Sequence, residues 1–180
     1  MNTLSASLAF VILFMFTSAL TAQNNFDREP EFQSDATSLQ SINGLVASQR
    51  FGYSVSDCGD LNGDGYDDII VGAHLTKSSA GRVYIYFGGT NMSSAPSLIL
   101  SGEAANNFFG ISVSDAGDVN GDGYSDVIVG AYGYSLGIGR AYIYYGGHNM
   151  DNIADVVLTG TATISFGYSV STAGDVNGDG

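Results

Sequence analysis

Oxygen-bearing side chains recur at alternate positions in three short segments of the chain. As far as the sequence runs, each segment follows the pattern D-x-N-x-D-G-x-x-D, in which positions 1, 3, 5 and 9 carry side-chain oxygens and position 7 offers a backbone carbonyl. Calcium takes about six to eight oxygen ligands in flexible geometry, so alternate residues of a tight loop can converge on one ion. The spacing therefore predicts calcium-binding loops. Their ligands would be Asp60, Asn62, Asp64, Tyr66 and Asp68 in the first, Asp118, Asn120, Asp122, Tyr124 and Asp126 in the second, and Asp175, Asn177 and Asp179 in the third, which stops before its positions 7 and 9.

Other interpretations of these segments explain less. Asn-Gly and Asp-Gly pairs make hairpin turns between strands, but a turn does not need three carboxylates in every repeat, which would repel one another without a cation. An EF-hand needs an acidic residue at position 12 and flanking helices, whereas position 12 is Val71 or Val129, inside a predicted strand. Magnesium requires stricter octahedral geometry, and no His or Cys is placed to favour zinc or copper.

The acidic segments belong to a longer sequence repeat. Residues 51–73 and residues 109–131 are identical at 18 of 23 positions, at an offset of 58 residues, and a third copy begins at residue 166. A fixed period of this length indicates stacked units, each of which buries its apolar surface against its neighbours.

Short apolar runs cut by glycine predict the elements that position the acidic segments. Residues 51–56, 68–73, 81–87 and 97–100 are rich in Val, Ile and Tyr and predict four strands per unit. No stretch outside the N-terminus has helical periodicity. The third strand is apolar on both faces, so both faces are expected to be covered. The prediction is an all-β fold of β-propeller blades with four antiparallel strands each, which we favour over a two-sheet sandwich.

The N-terminus predicts a targeting segment. Residues 8–16 form an apolar core, and small residues at 17–22 follow it, which is typical of a secretory signal peptide cleaved after Ala22; an uncleaved anchor is the alternative. Residues 23–37 are then a linker, and residues 38–180 are repeats, with units at about 45–102, 103–160 and a partial 161–180. Propellers close with about four to eight blades, so we expect a fragment of a longer protein.

The composition of the chain excludes some classes of binding partner and of cysteine chemistry. The net charge is −13, and 11 of the 18 acidic residues lie in or beside the acidic segments. The five basic residues form no cluster, which argues against a nucleic-acid partner. Cys58 is the single cysteine, so neither a disulfide framework nor a catalytic thiol is expected, and a buried small residue is predicted there.

Two dipeptide elements recur on either side of the acidic segments. A Phe-Gly pair precedes each acidic segment: Phe51-Gly52, Phe109-Gly110 and Phe166-Gly167. A Gly-Ala pair follows each of the first two: Gly72-Ala73, which His74 follows, and Gly130-Ala131, which Tyr132 follows. With the calcium pattern between them, they resemble the FG-GAP repeats of the integrin α-subunit N-terminal propeller, which have a proline after the Gly-Ala pair. The resemblance covers residues 38–180. It implies a seven-bladed propeller with calcium sites on one side, and it suggests that residues 38–44 supply the outer strand of the final blade and close the ring.

Function depends on sites rather than on the fold. We expect a secreted or cell-surface, calcium-binding propeller that acts as an adhesion or ligand-binding module for an extracellular protein or glycan. One alternative is the propeller portion of an extracellular hydrolase with catalytic residues outside this sequence, and another is a calcium-stiffened spacer without a ligand. His74 and His148 are expected at surface or turn positions, with no repeated nucleophile or carboxylate at useful spacing, and Ser54 and Ser112 are expected to be ordinary strand serines. No enzyme is therefore expected in this segment.

Overall fold

The computed structural model describes Ile42 and residues 47–174. These residues belong to one compact unit that begins at Ile42. The predicted signal peptide (1–22), the linker (23–37), the predicted closing strand (38–44) except for Ile42, and the third acidic segment with Asp175, Asn177 and Asp179 lie outside the described residues. No helix within the described ranges has the length and apolar character that a membrane span requires.

Within the described residues, eight strands form two four-stranded antiparallel sheets, and the strands of each sheet lie side by side in chain order. This confirms the prediction of an all-β fold built from four-stranded antiparallel blades. The predicted strand bounds differ from the observed ones by up to three residues. The first sheet contains β1 (Ser54–Asp57), β2 (Ile69–Ala73), β3 (Arg82–Tyr86) and β4 (Leu98–Ser101), and the second contains β5 (Val113–Gly117), β6 (Asp126–Ala131), β7 (Arg140–Tyr144) and β8 (Val156–Thr159).

The connection after the second strand of each sheet contains a helical turn that the sequence does not predict. These turns are α1 (Thr76–Ser79), which follows β2, and α2 (Tyr134–Gly137), which follows β6. Their inner residues have left-handed backbone, with φ of 48° at Lys77, 57° at Ser78 and 47° at Ser135. A turn of four residues is too short to leave a 3.6-residue periodicity in the sequence, and so pattern reasoning misses it.

The main hydrophobic core lies between the two sheets. Each sheet contributes the Val, Ile, Leu or Tyr side chains of one face, and connecting segments fill the remaining space. The burial of Cys58 confirms the prediction of a small buried residue at that position. The core residues are Ile70, Val83, Ile85 and Leu100 of the first sheet, Val113, Val127, Val129, Ala131, Tyr142 and Tyr144 of the second, and Cys58, Leu61 and Phe109 of the connections.

The two faces of the sheets are not equally covered. The outer face of the first sheet carries a second cluster of Ile69, Val71 and Tyr86, against which further apolar residues pack. The first sheet is therefore covered on both faces, as the apolar pattern of its third strand predicts. On the second sheet, Leu158 is 42% exposed, although its counterpart one repeat earlier, Leu100, is fully buried.

Serine hydroxyls link one sheet to the next. The backbone N–H of Val113 in β5 donates to Ser54 Oγ in β1 at 2.8 Å, and one repeat later the N–H of Val170 donates to Ser112 Oγ at 3.1 Å. The sequence predicts ordinary strand serines at these positions. Ser54 lies in β1, as predicted, and Ser112 directly precedes β5; the structure adds that each hydroxyl accepts a hydrogen bond from the backbone of the following repeat.

Replacing Ser54 by alanine should therefore lower the free energy of unfolding by about 1–2 kcal/mol, since the N–H of Val113 would lose its acceptor in a partly buried place. Urea unfolding followed by circular dichroism measures this change. Ser56→Ala on the same strand is the matched control, because Ser56 makes no side-chain hydrogen bond within the described residues. Equal losses for the two variants would contradict the role of Ser54.

Candidate functional site

Each described acidic segment connects the first and second strands of its sheet. In the first loop, the N–H of Cys58 donates to the carbonyl of Asp68 at 3.0 Å, and the N–H of Asp68 donates to the carbonyl of Gly59 at 2.8 Å. These two bonds continue the ladder between β1 and β2 up to the base of the loop. The strands therefore hold both ends of the loop in fixed positions and leave its acidic middle on the surface.

The first aspartate of each loop accepts backbone hydrogen bonds from inside the loop. Asp60 Oδ1 accepts the N–H groups of Gly63 at 2.7 Å and Asp64 at 3.0 Å, and Asp60 Oδ2 accepts that of Gly65 at 2.8 Å. Asp118 accepts the three equivalent N–H groups at 2.8, 3.0 and 2.8 Å. The repeated sequence therefore produces a repeated loop conformation.

The middle of the loop is held by the asparagine and the second aspartate. Asn62 Oδ1 accepts the N–H of Asp64 at 2.8 Å, and Asn62 Nδ2 donates to Asp64 Oδ2 at 3.0 Å. Asp64 Oδ1 accepts the N–H of Tyr66 at 3.0 Å. Asn120, Asp122 and Tyr124 repeat these three bonds in the second loop. These residues lie on the exposed part of each loop.

The last aspartate of each loop is buried beneath the others. Asp68 Oδ2 accepts the N–H of Leu61 at 2.9 Å, and Asp68 Oδ1 accepts that of Gly88 at 2.7 Å, which fastens the loop to the end of β3. The pKa of Asp68 is raised to about 6, mainly by burial; the two backbone hydrogen bonds oppose this rise, and the charges of Asp64 and Asp60 add to it.

The second loop repeats the buried carboxylate. Asp126 accepts the N–H groups of Val119 and Gly146, each at 2.8 Å. Burial again raises the pKa of Asp126, and the charges of Asp122 and Asp118 act in the same direction. In both loops, therefore, negative charge accumulates around a carboxylate that water does not reach.

The donor chemistry of the loops fits a hard cation. Their side-chain ligands are all oxygens. Asp60 Oδ2 accepts one N–H and keeps a second lone pair, whereas Asp60 Oδ1 accepts two N–H groups. Asp60, Asn62 and Asp64 are joined by hydrogen bonds in one loop, while Asp68 binds backbone groups below them. Within the described residues, however, no three acidic side chains come together closely enough to hold a metal ion. The ligand set therefore stays a prediction.

The first loop also contacts the second sheet, which the sequence does not reveal. The N–H of Ser125 donates to the carbonyl of Asp60 at 3.2 Å, and the N–H of Gly147 donates to the carbonyl of Leu61 at 2.7 Å. The ring of Tyr124 lies against Gly63, so that a β-carbon at Gly63 would be 2.5 Å from that ring. Neighbouring loops thus pack against each other.

A row of aromatic rings crosses both sheets at the end opposite the acidic loops; we call it the aromatic row. The acidic loop precedes β2, and the row begins beside the residue that follows β2, His74. Successive ring centroids lie 4.4, 6.4, 4.9 and 5.2 Å apart. The aromatic residues next to each Phe-Gly pair were the available signal in the sequence. The row consists of Tyr53, His74, Phe108, Tyr132 and Tyr168.

His74 lies in a turn, one of its two expected positions, but it is buried rather than at the surface. His74 lies between the rings of Tyr53 and Phe108, and its Nδ1 has no hydrogen-bond partner within the described part of the chain. Burial, together with the charge of Arg50, lowers the pKa of His74. His148 is exposed, as expected. Tyr53 of the same repeat and Phe108 of the next repeat enclose His74, and neither contact is apparent from its local sequence.

Comparison with known proteins finds similarity to a repeat family and to integrin alpha subunits. A family model described as FG-GAP-like repeat matches residues 60–129. Integrin alpha-5 of Xenopus laevis is 36% identical over 161 residues, which cover 81% of this chain and 15% of that protein. Integrin alpha-3 of Cricetulus griseus is 34% identical over 157 residues, which cover 79% of this chain and 14% of that protein. Integrin alpha-6 of Gallus gallus is 40% identical over 102 residues, which cover 56% of this chain and 9% of that protein.

The chain thus spans only a small part of the length of these relatives. The similarity nevertheless extends over both sheets, and the family match includes both described acidic segments. Together with the repeated four-stranded sheets and the recurring Phe-Gly and Gly-Ala elements, these matches place the chain in the FG-GAP repeat family, with similarity to the integrin α subunits.

Proposed function

We propose that this chain is part of an extracellular propeller of the integrin α type, which acts as an adhesion or ligand-binding module and holds calcium in its acidic loops. The observation that carries the proposal is the aromatic row, combined with the relationship to integrin α subunits. The acidic loops and the aromatic row lie at opposite ends of the sheets. Calcium in the loops would therefore stabilise the blades at one end, and the row would bind the ligand at the other.

The aromatic row has the properties of a binding surface. Tyr53 and Tyr168 are 52% and 58% exposed, and the rings of Phe108 and Tyr132 between them are stacked with an interplanar angle of 13°. Aromatic residues are enriched at protein interfaces. Phe108 and Tyr132 are partly exposed, whereas His74 is buried. An extracellular protein or a glycan fits this surface, because both bind to rigid aromatic rings that carry polar groups at their edges.

Calcium in the acidic loops would stabilise the sheets at the end opposite this surface. The residues that would hold it are Asp60, Asn62, Asp64, Tyr66 and Asp68 in the first loop and Asp118, Asn120, Asp122, Tyr124 and Asp126 in the second. The ion would supply positive charge beside the carboxylates of each loop. The same charge would relieve the repulsion that contributes to the raised pKa of Asp68.

Calcium should bind with dissociation constants of about 10⁻⁴–10⁻³ M, typical of extracellular modules. Binding to the folded state alone raises stability by mass action, so calcium should raise the melting temperature. Titration calorimetry and thermal unfolding measure the two effects. Asp122→Ala should remove one site, whereas Asp151→Ala, an exposed acid outside the loops, should leave both effects intact. Neither heat of binding nor a thermal shift in the unmodified chain would contradict the calcium proposal.

The binding function is tested at the aromatic row. The chain is presented to surfaces coated with solubilised extracellular matrix and to a glycan array, and saturable binding is expected to one of these probes. The double variant Tyr53→Ala and Tyr168→Ala should lose at least about tenfold in affinity, the loss of one to two aromatic contacts. Tyr66→Ala, an exposed tyrosine at the acidic end, is the matched control. Undiminished binding by the double variant would contradict the proposed surface.

A further inference from the structure

Both described acidic loops contain an Asn-Gly bond, Asn62–Gly63 and Asn120–Gly121; Asn62 is half-buried, and the other three residues are exposed. Glycine has no β-carbon, so its nitrogen can approach the side chain of the preceding asparagine with little steric hindrance. The fold demands glycine at both positions, because φ is +79° at Gly63 and +76° at Gly121. At Gly63 a β-carbon would also collide with the ring of Tyr124. The fold therefore retains a chemically labile dipeptide in both loops.

Hydrogen bonds to other residues of the closed loop engage both of the reacting groups. The nitrogen of Gly63 donates its proton to Asp60 Oδ1 at 2.7 Å. Asn62 is held on its other side, since its Oδ1 accepts the N–H of Asp64 at 2.8 Å and its Nδ2 donates to Asp64 Oδ2 at 3.0 Å. Attack of the glycine nitrogen on the carboxamide carbon requires that these bonds break. The second loop repeats the three bonds at 2.8, 2.9 and 2.8 Å.

We propose that Asn62 and Asn120 are sites of conversion to aspartate and isoaspartate, and that the Asp60 and Asp118 carboxylates restrain this reaction while the loops are closed. The nitrogen of the following glycine forms a bond to Asn Cγ, and the Cγ–Nδ2 bond breaks. The side-chain nitrogen leaves as ammonia with the proton that the glycine nitrogen loses. Water then opens the resulting succinimide at its side-chain carbonyl, which gives aspartate, or at its main-chain carbonyl, which gives isoaspartate.

The products would alter the loop that they form in. Each conversion replaces a neutral carboxamide by a carboxylate, so Asn62 would lose its Nδ2 donor and face the Asp64 carboxylate with like charge. Isoaspartate also inserts one carbon into the main chain and displaces the backbone N–H groups that Asp60 binds. The proposal does not require calcium, because every contact on which it rests is between groups of the chain itself.

The experiment uses the full chain in chelator at mildly alkaline pH. Mass spectrometry of proteolytic peptides measures conversion at each asparagine over time, and enzymatic methylation of isoaspartate separates the two products. Asp60→Ala should raise the rate at Asn62 by about tenfold, as loss of a hydrogen bond worth about 1.4 kcal/mol would, and should leave the rate at Asn120 unchanged. Asp118→Ala should show the reverse. Each loop thus serves as the control for the other.

Two results would overturn the proposal. A slower reaction at Asn62 in Asp60→Ala would mean that the carboxylate promotes the reaction, and an unchanged rate would mean that it has no influence. If the rate at Asn120 rises together with that at Asn62, the variant has lost its fold, and Asp64→Ala decides instead. Asp64→Ala removes the acceptor for Asn62 Nδ2 and creates no further Asn-Gly bond. A rise in the conversion rate at Asn62 alone, relative to the unmodified chain, would support the proposal. Equal changes in rate at Asn62 and Asn120 would overturn it.

Discussion

Phe109→Ala should lower the free energy of unfolding by about 3–5 kcal/mol, the cost of removing a large aromatic side chain from a packed core. Phe109 is 1% exposed and lies between the two sheets, with its ring centroid 5.3 Å from that of Tyr142 and 6.4 Å from that of Tyr144. Folded domains have a total stability of about 5–15 kcal/mol, so this one change removes a large fraction of it. Urea unfolding followed by circular dichroism and tyrosine fluorescence measures the loss, since the chain has no tryptophan.

The matched control is the same motif position one repeat later. Phe166 also precedes a glycine in a Phe-Gly pair, but it is 36% exposed. Phe166→Ala should therefore cost about 1 kcal/mol, because less apolar surface is returned to water. Equal losses at the two positions would show that the motif contributes by its sequence alone and would contradict the argument from burial.

In the absence of calcium, stability should fall as the pH rises from about 4 to about 6. The folded chain binds the Asp68 proton more tightly than the unfolded chain does, because burial raises the pKa of Asp68 from 3.8 to about 6. This contribution to stability is therefore complete below pH of about 4 and lost above pH of about 6. A shift of about two pKa units corresponds to about 3 kcal/mol, and Asp126 acts in the same direction.

Thermal unfolding in chelator across this pH range measures the effect. The double variant Asp68→Asn and Asp126→Asn should be less stable overall, because asparagine cannot accept both backbone N–H bonds, but its stability should depend less on pH. The informative quantity is the difference between the stability-versus-pH profile of the unmodified chain and that of the double variant. This difference removes the contribution of the other acidic residues. Parallel profiles would contradict a raised pKa at these buried carboxylates.

Much of the architecture could be predicted because it depends on local patterns. The offset of 58 residues, the glycines that end each apolar run and the alternation of Val, Ile and Tyr are properties of short segments, and they predict four strands per repeat. The conformation of the acidic loops is equally local. The acceptors and donors that fix Asp60, Asn62 and Asp64 lie within five positions of one another.

Contacts between repeats could not be predicted in the same way. Ser54 resembles any strand serine until the N–H of Val113 is placed beside it. His74 resembles an exposed turn residue until Tyr53 and Phe108 enclose it. In each case the partner lies in another segment of the chain, and no pattern of neighbouring residues specifies which atoms will meet.

The sequence by itself determined the repeat, the strands and the position of the acidic loops, because hydrophobic alternation and turn chemistry act over a few residues. The tertiary structure decided which of the repeated residues are buried. Leu100 is fully buried and Leu158 is 42% exposed, although both occupy the same place in their repeats. The physical reason is that burial depends on what packs against a face, and the second sheet covers that face of the first.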